Sequence, residues 1–193
     1  MSLPRTLPVF TAEQYLDLER HTEIRHEFLD GTVYAMSGGS RAHSRICFNL
    51  GGILHAQLRG TPCDGFTSDM KVRAGDASLY AYPDLAVACG EIVLQDKHGD
   101  VLLNPVVIFE VLSRSTEAYD RGEKFERYKT IETLTDYVLV SQESARLEHF
   151  SRRPDGTWAL EEVSGLESSL GLASIDCRLP LAEVYDRVEF DAQ

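Results

Sequence analysis

The sequence predicts an α/β (α+β) fold, a mixed central sheet flanked by helices with an N-terminal helix and hairpin ahead of it. Three observations carry this. Between about residues 41 and 140 the hydrophobic pattern runs helix, strands, helix, strand. Val106–Val111 is apolar on both faces apart from Glu110, which is how a central strand covered on both sides reads. Asp30-Gly31 sits between two short strand-like runs, a strong hairpin signal. A chain of 193 residues has the size of one domain, so 1–193 is read as a single unit with its core at about 41–140.

Thr11-Ala12-Glu13-Gln14 is a capping box, with Thr11 capping and Gln14 reaching back, and it starts a helix predicted to run to about Arg20. Ile24–Leu29 and Thr32–Met36 are the hairpin strands, and Ser37-Gly38-Gly39-Ser40 ends them. Ser40 is placed to cap a second helix from Arg41 to about Arg59, whose Ile46, Leu50, Ile53, Leu54 and Leu58 share one face. Strand character follows over Gly65–Arg73, then over Tyr82–Cys89 after a Gly75-Asp76 turn, then over Val101–Ser113. A third helix is predicted over Tyr119–Thr133, and Tyr137–Val140 reads as another buried strand. Pro154-Asp155-Gly156 marks a second hairpin, and a short helix near Leu181–Val188 closes the chain.

With 43% hydrophobic and 26% charged residues the chain has material for a core, which excludes disorder and collagen-like order. The net charge of −12 excludes a passive polyanion binder, because non-specific affinity for nucleic acid comes from Lys and Arg displacing counterions. Val101–Phe109, the longest uncharged run near the centre, is far short of the roughly 20 residues of a membrane span. Met1–Phe10 holds two prolines and no apolar stretch, so no signal peptide and a cytoplasmic location are expected. Cys47, Cys63, Cys89 and Cys177 form no C-x-x-C pair and sit in apolar company. They are read as small buried hydrophobes without disulfides.

Glu110 is the most informative residue, since a carboxylate inside a buried strand costs several kcal/mol unless paired or bound to a metal. Asp84 interrupts a second strand-like run just after Pro83. Two carboxylates on neighbouring strands suit a hard divalent cation such as Mg²⁺, which takes oxygen ligands and leaves positions for water and phosphate. Asp120, Lys124 and Tyr128 follow at i, i+4 and i+8, along one helix face. The structural alternatives are a buried ion pair for Glu110, an Asx turn for Asp84 and an exposed ion-pair row for the helix.

Taken in order, Pro83-Asp84, Glu110-Val111-Leu112-Ser113, Ser115-Thr116, Asp120, Lys124 and Tyr128 resemble the Uma-two family of restriction-endonuclease-like proteins, within the PD-(D/E)XK nuclease superfamily. The likeness covers nearly the whole chain, including Glu27 ahead of Asp30-Gly31, His43 opening the second helix, and the closing Leu179-Pro180-Leu181-Ala182-Glu183-Val184-Tyr185. It implies a restriction-endonuclease-like core and hydrolysis of DNA phosphodiester bonds with Mg²⁺ (or Mn²⁺). By the same resemblance Asp84, Glu110 and the Val111 carbonyl hold the metal, and Glu27 is an additional carboxylate.

One position departs from the pattern. The superfamily's lysine lies two residues after the acid, and here that place is Leu112. Lys124 is the expected substitute, moved to the following helix, with Asp120 and Tyr128 fixing its side chain. His43 reads as a base, a phosphate contact or a capping residue. A homodimer is expected, because a single-site nuclease cuts two strands with two copies. The rival readings are an inert nuclease-fold binding module, favoured by Leu112 and the acidic charge, and a small-molecule phosphohydrolase.

Overall fold

The computed structural model describes residues 9–190. The segment Met1–Pro8, part of the stretch read for a leader, lies outside the described residues. The elements are α1 Ala12–His21, β1 His26–Leu29, β2 Thr32–Ala35, α2 Arg41–Leu58, β3 Cys63–Thr67, β4 Lys71–Arg73, β5 Leu79–Ala81, β6 Leu85–Cys89, β7 Val101–Leu102 and β8 Val107–Val111. After these come α3 Glu117–Arg121, α4 Glu123–Tyr128, β9 Asp136–Val140, β10 Arg146–Arg152, β11 Trp158–Ser164, β12 Ser169–Leu172, β13 Cys177–Pro180 and α5 Leu181–Val184.

The mixed α+β architecture matches the expectation. A six-stranded sheet runs β11-β10-β9-β8-β6-β3, a five-stranded sheet runs β2-β1-β5-β4-β7, and β12-β13 is a separate hairpin. The central β8 pairs parallel with β9 and antiparallel with β6. All five of its residues are buried. Alternation sends Val107, Phe109 and Val111 toward α2, where they pack with Ile46, Leu50, Leu54 and Leu58. It sends Ile108 and Leu112 the other way, onto Phe125 and Tyr128 of α4 and onto Val72 and Ala81 of the smaller sheet. Glu110 shares that second face, beneath α4.

Local signals act as the sequence indicates. Both halves of the Thr11–Gln14 capping box are made, and the Ser40 hydroxyl accepts from the His43 amide. Asp30 and Gly31 take φ values of 47° and 87°, the left-handed pair a tight hairpin turn demands.

Other expectations need correction. Gly65–Arg73 is two strands in different sheets, split at Thr67–Met70, where the Met70 amide bonds the Thr67 carbonyl. Tyr82–Cys89 is strand only from Leu85; Tyr82-Pro83-Asp84 instead carries the chain from the small sheet to the large one. Val101–Ser113 divides the same way, into β7 and β8. The third helix breaks at Gly122 (φ −109°, ψ −101°) and ends at Tyr128, and the last helix stops at Val184. The β12-β13 hairpin was not anticipated, because Ser169–Leu172 is short and holds a glycine.

The cysteine expectation is also corrected. Cys63 and Cys89 face each other across β3 and β6 and are joined in a disulfide, while Cys47 and Cys177 are free. Nothing in the spacing of the pair shows that their strands are neighbours. Among the described residues no helix is long and apolar enough to cross a membrane.

Candidate active site

A cleft of about 1630 Å³ is lined by α2, β1, the Tyr82–Asp84 crossing, β8 and the Ser113–Lys124 segment. Glu27, His43, Asp84, Glu110, Val111, Asp120 and Lys124 all contribute to its walls. The fold thus brings together seven positions that the sequence singles out. Tyr128 lies underneath, fully buried, with its hydroxyl donating to Glu110 Oε1 at 3.3 Å.

Lys124 is the centre of one half. Its side chain leaves α4 toward β8, and the residue is only 4% exposed, as is Glu110. The ammonium stands 2.8 Å from Glu110 Oε1, 3.0 Å from Glu27 Oε1 and 3.6 Å from Asp120 Oδ1. The exposed ion-pair row is therefore excluded for this helix. The helix break at Gly122 does not undo the spacing, because Asp120 still reaches Lys124 from α3. Leu112 is buried in the apolar cluster beneath α4 and offers no cation.

Asp84 is the centre of the other half. Its Oδ2 accepts from the Val111 amide at 2.7 Å, which fixes it against the backbone next to Glu110. His43 Nε2 lies 3.1 Å from Asp84 Oδ1, and Cys47 Sγ lies 3.6 Å from His43 Nδ1. His43, Cys47 and Asp84 are the residues whose possible ligand atoms converge within 4.8 Å. Glu110 is not in that group; its Oε1 faces Lys124 and Tyr128. The Asx-turn alternative for Asp84 gives way to these longer-range contacts.

The electrostatics follow from one ammonium among several carboxylates. Burial raises the Glu110 pKa well above the usual carboxylate range; Lys124 opposes this, and Asp120, Asp84 and Glu27 reinforce it. Asp120 is raised for the same reason, burial first. Burial works against the charge on Lys124, but Glu110, Glu27, Tyr128 and Asp120 outweigh it and hold the lysine protonated. The hydrogen bond to Asp84 raises His43 above an ordinary histidine. The cluster is short of positive charge, and a divalent cation is the group that would balance it.

Sequence reasoning missed three contributors. Cys47 was read as core and instead lines the cleft beside His43. The Tyr119 ring sits 5.9 Å from the Lys124 ammonium, and the Tyr82 amide donates to Glu27. Glu27 lies 55 residues before Tyr82, so spacing carried no signal for that contact, whereas His43 and Cys47 stand at i and i+4 of α2, a spacing that places them on one helix face.

The fold is shared with a solved protein described as "a putative nuclease belonging to DUF820" from Anabaena variabilis ATCC 29413. The two superpose with a TM-score of 0.77 over 93% of this chain and 99% of that one, at 13% identity. Residues 12–182 match the model of the Uma2 family, described as "putative restriction endonuclease", and the chain belongs to that family. Two uncharacterized proteins of Synechocystis sp. are similar along their length: slr1290, 34% identical over 95% of each chain, and sll1609, 33% identical over 86% of this chain and 93% of the other.

Proposed function

We propose that this protein is a Mg²⁺-dependent DNA endonuclease that hydrolyses phosphodiester bonds in the cleft. The observation that carries the reading is the Lys124 ammonium 2.8 Å from Glu110, at the place the missing lysine of position 112 would serve. The donor set fits a hard cation: the buried carboxylate of Glu110 and the part-buried one of Asp84, among further carboxylates. Asp84, Glu110 and the Val111 carbonyl would hold it, and the cation would supply polarisation of a phosphate oxygen and a lower pKa for the attacking water.

The chain's own residues do the rest. Lys124 orients the attacking water and offsets charge that develops on the phosphate oxygens. Glu27 and Asp120 aim the ammonium, and Tyr128 holds the Glu110 carboxyl by its hydroxyl. His43 keeps Asp84 turned toward Val111 and presents a proton near the scissile group. The breadth of the cleft supports a polymer over a small phosphate ester, since drug-sized ligands fill roughly 300–1,000 Å³. A homodimer working in the cytoplasm goes with this reading.

Incubating supercoiled plasmid with the protein and Mg²⁺ tests it. Nicked and linear DNA should form, and should vanish with EDTA and in Asp84→Asn. Intact plasmid from a folded protein that binds Mn²⁺ would leave an inert binding module instead.

A further inference from the structure

The mechanism leaves unused the outer face of α2. This helix of 18 residues carries no Asp or Glu, in a chain whose net charge is −12. Its inner face, Ile46, Leu50, Leu54 and Leu58, is buried. Turned away from these at helical spacing stand Arg41, Arg45, Phe48, Gly52, His55 and, at the C-cap, Arg59. Phe48 is 74% exposed, an aromatic ring with no apolar cover. Phe48, Gly52, His55 and Arg59 line the cleft, while Arg41 and Arg45 meet Phe48 around a smaller hollow at the helix start.

The arginines are distinctive as well. Arg20, Arg25, Arg121, Arg127 and Arg146 are each tied to a carboxylate. Among the described residues, the Arg45 and Arg59 side chains hold no such partner, and Arg41 touches only the exposed Glu189, at 3.9 Å. Arg152 and Arg178 also lack a carboxylate and bond carbonyls and a hydroxyl instead; what sets α2 apart is that Arg41, Arg45 and Arg59 share one face of a helix without acidic residues, beside an exposed aromatic ring.

We propose that this stripe is the track along which a single nucleic-acid strand enters the cleft, with the arginines on its phosphates and an unpaired base stacked on Phe48. The proposal rests on the nuclease reading and deepens it by naming the substrate form. α2 is about 27 Å long, enough to run beside several nucleotides. Every base has a π-face, so one exposed ring gives sequence-tolerant affinity for unpaired strand and little for stacked duplex. Gly52 leaves the backbone open between Phe48 and the His55–Arg59 end, with nothing within 4 Å of where a Cβ would stand.

The test is fluorescence anisotropy with labelled oligo-dT and a matched duplex, in Ca²⁺, for wild type, Phe48→Ala, Phe48→Trp and the double variant Arg45→Gln/Arg59→Gln. The expected result is a loss of about tenfold or more for oligo-dT in Phe48→Ala, recovered in Phe48→Trp, with duplex binding little changed. In the double variant the slope of log affinity against log salt should flatten by about 0.7 for each arginine lost. Since Phe48 is exposed, both of its variants should fold as wild type. Unchanged oligo-dT affinity in Phe48→Ala, equal losses on duplex, or a wild type that binds no oligonucleotide would each overturn the track. So would a change of dimerisation alone, seen by light scattering. Mn²⁺ titration of the same variants separates this from failure of the metal site, which would leave the wild type without a binding heat.

Discussion

Among the described residues two lysines are buried, and they live in opposite surroundings. Lys71, on β4 between β5 and β7 of the small sheet, is 2.9 Å from Asp100 and 3.3 Å from the Tyr82 hydroxyl. Asp100 also takes two bonds from Arg20, whose guanidinium reaches Asp96 as well. Cations and carboxylates balance there, and the Arg20 and Lys71 hydrogen bonds hold Asp100 well below the usual range. Lys124 faces Glu110, Glu27 and Asp120 alone, and burial with too little counter-charge drives Glu110 and Asp120 upward. A balanced buried cluster is scaffold. An acid-rich one that opens on a cleft is a candidate functional site.

The largest effect should come from the scaffold. Lys71→Met leaves Asp100 with Arg20 alone and should lower stability by about 3 kcal/mol, the low end for breaking a buried pair, since Asp100 stays part-exposed. Denaturant unfolding reads this, and the folded fraction should cleave DNA at the wild-type rate. A large loss of specific activity in that fraction would erase the distinction between the clusters.

Next comes Lys124→Met, which should slow plasmid cleavage by ~10²-fold, about 2.7 kcal/mol of transition-state stabilisation. Folding should survive, because burial already raises the Glu110 pKa and the carboxyl can take up a proton when the ammonium is lost; circular dichroism of the variant checks this. Adding Leu112→Lys should return part of the rate by putting a cation back on the Glu110 face of β8. Wild-type cleavage by Lys124→Met would make this lysine a scaffold residue like Lys71.

The smallest effects are in pH dependence, and they should have opposite signs. Asp100 has a lowered folded pKa, so its stabilisation is present above the ordinary value of 3.8 and is lost as pH falls through the folded one. Glu110 has a raised folded pKa, so without metal its contribution falls as pH rises past the ordinary 4.5. Asp100→Asn should therefore flatten the acid limb of the thermal midpoint, and Glu110→Gln should raise the metal-free midpoint slightly at pH 7.5. Parallel slopes in the two variants would contradict the contrast.

The sequence made the Lys124 half of this legible and little of the Lys71 half. Glu110 stood out because it broke an apolar strand, and Lys124 because it shared a helix face with Asp120 and Tyr128. Lys71 looked like the polar side of an alternating strand, since its partner Asp100 lies 29 residues on, across a sheet that the sequence does not announce. The same blindness hid the His43–Asp84 contact, the Cys63–Cys89 bond and the split of Gly65–Arg73 between sheets. Periodicity reports which face is buried and not which strands are neighbours. The capping box and the Asp30-Gly31 turn were readable because both ends of each interaction lie within a few residues.

The most direct measurement is calorimetric titration with Mn²⁺ at pH 5.5 and pH 7.5, on wild type and on Asp84→Asn. Binding needs the Glu110 carboxyl ionised, and burial has raised its pKa, so wild-type affinity should be higher at pH 7.5, with protons released on binding. Asp84→Asn should show no binding heat at either pH. Equal heats in wild type and Asp84→Asn, or no heat in wild type at pH 7.5, would contradict a cation site between Asp84 and Glu110.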